Sequence, residues 1–270
     1  MIRMPKISCI LPVYNGEKFV EEAVNSVLSQ TFEDFELIVV NDGSTDRTAE
    51  LLTAVELGDP RVRVICQKNG GIVSALNTAL QACRGEYVAR MDADDVSLPD
   101  RFAFQSQYLD AHPTCVLVGG QAITREMNAA NSERVTGGRH TRTDLGVFPP
   151  KIAVSVHPLI MVRRTAYEAV GGYRSDFPHA EDYDLFIRLA RLGSIDNPSR
   201  PVLVYRRHEG AISVRNIEIQ ELSAARSEVV ERLADGYPPV PGWLFEPYVR
   251  VRILRRYLRV DKSKMGPLMG

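Results

Sequence analysis

The sequence has little of what marks several protein classes. It has only four cysteines, Cys9, Cys66, Cys83 and Cys115, and no C-x-x-C pair. Scattered positions of this kind favour reduced, buried thiols over a disulfide framework or a zinc site. No apolar run approaches the roughly 20 residues of a membrane-spanning helix. Arg3 and Lys6 precede the apolar run Ile7–Val13, but that run is short, contains Pro12 and leads to no small-residue cleavage site. It reads as a strand rather than a signal peptide, and the expected location is cytoplasmic. An excess of one charge is also missing. With 33 basic and 34 acidic residues the net charge is −1, so the chain as a whole has no attraction for nucleic acid. Neither G-x-x-x-x-G-K nor G-x-G-x-x-G occurs, which leaves kinases and dinucleotide oxidoreductases without support.

What is present suits a folded α/β protein. Hydrophobic residues make up 44% of the 270, enough for a sizeable core. Apolar runs at Ile7–Val13, Glu36–Val40, Val62–Cys66 and Glu86–Met91 alternate with helical patterns at Glu17–Ser29, Thr45–Leu57 and Gly71–Cys83. That order predicts βαβ units and a mostly parallel sheet flanked by helices. Further on, Arg101–Leu109 and Glu181–Leu192 read as helices. Val116–Val118, Leu159–Val162 and Val202–Tyr205 read as strands, and residues 121–150 as a mobile polar excursion. From about Asn216 the pattern is helical, broken by Pro238, Pro239 and Pro241.

Ligands of parallel sheets bind at the carboxyl ends of the strands. Three polar clusters fall at such ends: Tyr14-Asn15-Gly16-Glu17, Asn41-Asp42-Gly43-Ser44 and Asp92-Ala93-Asp94-Asp95. Three carboxylates within four residues repel one another unless a cation or hydrogen-bond donors compensate, and hard cations such as Mg²⁺ or Mn²⁺ prefer such oxygens. The ordinary alternative is a solvated turn capping the next helix. Asp42 at a strand end can accept from a base or ribose, and Tyr14 can stack on a base or simply pack. Glu181 and Asp182 open a helix, where acids suit the dipole, and a carboxylate there can also serve as a general base. His208 after a strand is either a surface histidine or a metal ligand, and His157 carries the same ambiguity.

Five segments occur in order: ISCILPVYNGE (Ile7–Glu17), IVVNDGST (Ile38–Thr45), MDADD (Met91–Asp95), AEDYDLFIR (Ala180–Arg188) and YRRHEGAIS (Tyr205–Ser213). Together they resemble the family 2 glycosyltransferases of the GT-A fold over roughly residues 5–213. The resemblance implies a Rossmann-like GT-A catalytic domain over 1–213 and a C-terminal helical extension over 214–270. It implies inverting transfer of a sugar from a nucleotide-diphosphate donor, with uracil the expected base, to a hydroxyl acceptor in polysaccharide or other glycoconjugate synthesis. By the same resemblance Pro12, Tyr14 and Glu17 border the nucleobase, Asp42 binds it, and Asp92 touches the ribose or its phosphate. Asp94 and His208 ligate Mn²⁺ or Mg²⁺, and Asp182, preceded by Glu181, is the base. Gly171, Gly172 and Tyr173 form a loop over the acceptor side, while His157 and Arg206 lie near the diphosphate.

Other classes fit less well. A nucleotidyltransferase making an activated sugar needs a Gly-rich basic loop where Tyr14–Glu17 stand, and a non-catalytic module on the same fold would not need the set Asp94, Asp182 and His208. In Trp243–Lys264 the pattern places Leu244, Tyr248, Val251, Leu254 and Leu258 on one face and Arg252, Arg255, Arg256 and Arg259 on the other. Such a helix packs on the domain with its arginines in water, lies on the inner face of an anionic membrane, or pairs with its copy in a homodimer.

Overall fold

A computed structural model describes residues 4–127, 132–137, 143–144, 146–147, 149–152, 154–207 and 217–264, with side chains in the last stretch over 218–253. Its main sheet begins with β1 (Ile7–Val13), β2 (Phe35–Asn41), β3 (Val62–Cys66) and β4 (Tyr87–Arg90). β6 (Cys115–Val118), β9 (Met161–Arg163) and β10 (Ser194–Asp196) complete it in the order β10-β6-β9-β4-β1-β2-β3. β1 pairs in parallel with both β2 and β4, while β9 runs antiparallel between β4 and β6. A second sheet has the order β5-β11-β7-β8, built from β5 (Val96–Ser97), β7 (Gln121–Glu126), β8 (Glu133–Gly137) and β11 (Pro201–Arg207).

The two-residue period of the strands sorts their side chains into two cores. Ile7, Cys9, Leu11 and Val13 of β1 and Phe35, Leu37 and Val39 of β2 face one side. There they meet α1 (Val20–Leu28), α2 (Thr48–Gly58) and α4 (Arg101–Ala111) through Val20, Ala23, Val24, Val27, Leu52, Phe102 and Leu109. Ile10, Ile38 and Val40 face the other side. Their partners are α3 (Gly71–Ala82), α5 (Arg164–Val170) and α6 (Glu181–Leu189), through Leu76, Ala79, Tyr167, Leu185 and Phe186. Covered on both faces, the central strands are predominantly apolar, and the buried polar pair Ser8–Glu36 is joined by a 2.6 Å hydrogen bond.

At the ends of β4 and β6 and just before β9, a buried Arg101–Gln105 pair donates to backbone carbonyls. Arg101 Nη2 donates to the carbonyl of Arg90 at 2.7 Å, and Gln105 Nε2 to those of Leu159 at 2.6 Å and Gly119 at 3.0 Å. Arg101 is fully buried, which lowers its pKa to about 10.

Several expectations need correction. The polar stretch 121–150 contains the β7–β8 hairpin, which pairs Gln121 with Gly137 and Arg125 with Glu133. Alternate residues Ala122 and Thr124 are buried there, and the Thr124 and Thr136 hydroxyls meet at 2.8 Å. Cys66 is exposed rather than buried, because it ends β3 at the sheet edge. α7 (Ile217–Ala234) and α8 (Gly242–Lys264) are the C-terminal helices. α7 packs on α6 and α8 on α7. Within that packing Arg252 turns inward to Glu221 and Glu228, and Val251 is 44% exposed. The expected division of apolar and basic faces is therefore rotated at these two residues. Among the described residues no helix is long and apolar enough to cross a membrane.

The α6–α7–α8 contact is largely ionic. Asp184, fully buried, accepts from Arg174 Nε at 3.0 Å, Arg188 Nε at 2.9 Å and Ser227 Oγ at 2.9 Å. Glu231 takes Arg174 and Arg191. Glu228, also fully buried, accepts from the hydroxyls of Tyr183 at 2.5 Å and Tyr248 at 2.7 Å and pairs with Arg252. Buried carboxylates persist only when satisfied in this way.

Candidate active site

Parallel pairing of β1 with β2 and β4 brings the three polar clusters to one edge. The first two loops clasp each other. Asn15, in a left-handed conformation with φ of 52°, receives the Thr45 N–H on Oδ1 at 2.8 Å and donates its own N–H to Ser44 Oγ at 2.9 Å. The Gly16 N–H donates to Thr48 Oγ1 at 2.8 Å. Glu17 Oε2 accepts the Arg47 N–H at 3.0 Å, and the Glu17 N–H donates to Asp46 Oδ2 at 3.1 Å. Glu17 thus caps the start of α2, and Pro12 lies inside buried β1. Glu17 remains exposed beside this clasp, and Tyr14 is 53% exposed at the mouth.

Asp42 is buried and holds the next loop. Its Oδ1 accepts from Gln67 Nε2 at 2.7 Å and the Gly70 N–H at 2.8 Å, and its Oδ2 accepts the Gly71 N–H at 2.9 Å. The carboxylate fixes the entrance to α3, a task the sequence did not suggest for it.

The third cluster is the acidic one. Asp92, Asp94 and Asp95 each offer an oxygen, all within 4.8 Å of one another. Asp92 Oδ2 accepts from Arg90 Nη1 at 2.6 Å. Burial raises the Asp92 pKa, and the Asp94 charge adds to this while Arg90 opposes it. Asp95 is fully buried; its Oδ1 accepts the Arg206 N–H at 3.0 Å and its Oδ2 has no hydrogen-bond partner. Burial, then the neighbouring Asp92 and Asp94, push the Asp95 pKa up to about 9. Clustered carboxylates and an orphaned buried oxygen are what a hard divalent cation relieves, so this donor set fits Mg²⁺ or Mn²⁺.

The start of α6 faces the same region. Asp182 contributes to the field on Asp92, and Asp92 to that on Glu181. Glu181 Oε2 is buried without a partner, and burial followed by the Asp182 charge pushes the Glu181 pKa up to about 7. The Tyr183 N–H donates to Asp182 Oδ1 at 2.7 Å, as suits an acid in a first helical turn.

Behind the site lies a chain of rings. His157 is buried, with Nε2 on the Tyr173 hydroxyl at 2.8 Å, and that hydroxyl lies 3.1 Å from the hydroxyl of Tyr167. Gly171 and Gly172 both have φ of 73°. A Cβ on Gly172 would stand 2.7 Å from Asn77 Oδ1, the atom that accepts the Tyr173 N–H at 2.9 Å. The turn is therefore fastened to α3 and sends the Tyr173 ring inward, beneath the site. Arg206 is buried. Its guanidinium pairs with Glu22 and covers Phe19, on the α1 side. His208, the expected second metal ligand, lies outside the described residues.

Sequence reading missed Arg90. It is buried, pairs with Asp92, and its charge acts on Glu181, Asp95 and His157. A lone arginine in the apolar run before MDADD was the available signal.

Comparison with known proteins accords with this geometry. The family model described as Glycosyl transferase family 2 matches residues 8–171, more than half of the chain. The chondroitin synthase of Escherichia coli is 30% identical over 261 residues, covering 94% of this chain but only 36% of the synthase. An uncharacterized glycosyltransferase of Haemophilus influenzae is 31% identical over 217 residues, covering 77% of this chain and 67% of that protein. The chain thus spans about a third of the first relative and two thirds of the second. Two solved structures share the fold. Residues 1–349 of S. aureus TarS, in complex with UDP-GlcNAc, match with TM-score 0.68 at 21% identity, covering 94% of this chain and 73% of that one. Mannosyltransferase PcManGT from Pyrobaculum calidifontis, in complex with GDP-Man and Mn²⁺, matches with TM-score 0.65 at 21% identity, covering 99% and 77%. The fold is GT-A.

Proposed function

The chain belongs to glycosyl transferase family 2, and from that premise we propose that it moves a sugar, with inversion, from a nucleotide-diphosphate donor to a hydroxyl acceptor in polysaccharide or other glycoconjugate synthesis. One observation carries the reading: the cluster Asp92, Asp94 and Asp95 shares an electrostatic field with Glu181 and Asp182 at the strand ends. The donor we assign is UDP-linked, by analogy with the TarS complex; the GDP-Man complex of PcManGT makes guanine the competing base.

In this proposal Asp94, with Asp92 beside it, holds Mn²⁺ or Mg²⁺, and His208 is the second ligand. The cation supplies neutralisation of charge growing on the diphosphate. Tyr14 borders the base at the mouth, and the Asp42 and Glu17 clasps keep the surrounding loops in place. Asp92 meets the ribose or its phosphate while the Arg90 guanidinium favours its ionised form. Asp182 takes the proton of the acceptor hydroxyl as that oxygen attacks, which raises its nucleophilicity when it is needed. Attack from the single face presented to Asp182 gives inversion; retention would need a carboxylate nucleophile on the opposite face.

Nucleoside diphosphate release from a panel of UDP-sugars and GDP-mannose, with Mn²⁺, with Mg²⁺ and with EDTA, tests the reading. Metal-dependent release from a UDP-sugar, lost in Asp94→Asn, is expected. Absence of release and of any thermal shift with every donor and metal would overturn it.

A further inference from the structure

Charge is distributed unevenly along the chain. α8, Gly242–Lys264, holds seven basic and two acidic residues, whereas the rest holds 26 basic and 32 acidic. The inner side of this helix is occupied: Tyr248 and Arg252 reach Glu228, and Val249 is buried. Its outer side presents apolar groups. Trp243 is 77% exposed, Pro247 is exposed, and Val251 follows at the same four-residue spacing. In sequence Leu254 and Leu258 follow at spacings of three and four residues. Exposed Arg250 stands among these positions. Beside the amino end of α8, an open hollow of ≈ 600 Å³ is lined by Phe177, Val229, Val230, Val240 and Phe245, with exposed Arg226 among its walls.

We propose that this face docks on an anionic lipid bilayer. Trp243, Pro247 and Val251 enter the interface, exposed Arg250 beside them meets lipid phosphate, and the hollow takes a hydrocarbon chain. The chemistry selects this occupant. An exposed apolar stripe needs a cover, and a cover rich in phosphate also neutralises the excess of basic residues. A two-fold contact with a second copy would set the same basic helix against itself, at a cost in repulsion. The inference is independent of the transfer reading.

Trp243 is the only tryptophan in the chain, so the protein carries its own reporter. The test titrates the full chain with vesicles of phosphatidylcholine alone and of phosphatidylcholine with 30% phosphatidylglycerol, following Trp243 emission and vesicle flotation. Anionic vesicles should shift the emission to shorter wavelength and bind at least ~10-fold more tightly than neutral ones, with binding weakened by salt. Val251→Glu, at an exposed position, should weaken binding by ~10-fold while the far-ultraviolet spectrum stays that of the wild type. Unshifted emission with anionic vesicles, equal binding to both compositions, or undiminished binding by Val251→Glu overturns the proposal. A lipid-free blue shift that grows with protein concentration, together with a dimer by light scattering, overturns it in favour of a chain–chain interface.

Discussion

His157 Nε2 and the Tyr173 hydroxyl lie 2.8 Å apart, both buried, and each is the other's polar partner beneath the candidate site. Tyr173→Phe keeps the ring but removes the oxygen that His157 Nε2 and the Tyr167 hydroxyl share. The expected cost is about 1–3 kcal/mol, read by urea denaturation at pH 7. A variant as stable as the wild type would mean that this hydroxyl's contacts contribute nothing.

The same histidine predicts a pH dependence. Burial, aided by the Arg90 charge, holds its pKa well below 6.5, so the folded chain leaves it neutral. In the unfolded chain it takes a proton as pH falls through about 6.5. The unfolded state then binds more protons, and stability drops with falling pH by up to about 1.4 kcal/mol per unit from this group. Denaturation of wild type and His157→Gln from pH 8 to 5 should give a shallower slope for the variant. Parallel slopes would refute the assignment.

Asp182→Asn keeps the size and the helix start but cannot accept the acceptor proton. Turnover should fall by about 10²- to 10⁴-fold, with donor affinity by calorimetry within about threefold of the wild type. Near-normal turnover would remove Asp182 from the role of base.

Arg252→Met leaves fully buried Glu228 with two tyrosines and no cation. The loss should be about 3 kcal/mol, and adding Glu228→Gln should recover most of it. If the double variant is simply the sum of its parts, the two residues are not coupled.

The first four strands and their helices were legible because burial on both faces leaves continuous apolar runs, and Ile7–Val13 and Val62–Cys66 end where the sequence predicts. The β7–β8 hairpin was not, because only Ala122 and Thr124 are clearly turned inward and the rest reads as polar loop. The acidic cluster was legible from local charge density alone. What Asp42, Glu17 and Tyr173 bind was not, since their partners Gly70, Arg47 and His157 come from separate segments of the chain. Arg252 was assigned to the wrong side of its helix for the same reason: periodicity sorts side chains by polarity, and a buried glutamate on a neighbouring helix reverses that rule.

The ionic seam formed by Arg174, Asp184, Arg191 and Glu231 bears on how this chain can be recombined with its relatives. A chimera joined just after residue 213 would pair one parent's α6 with another's α7 and leave carboxylates stranded at the graft. Exchanges that carry residues 174–264 as one cassette keep this seam intact together with the Glu228–Arg252 and Glu228–Tyr248 contacts, and so preserve the scaffold.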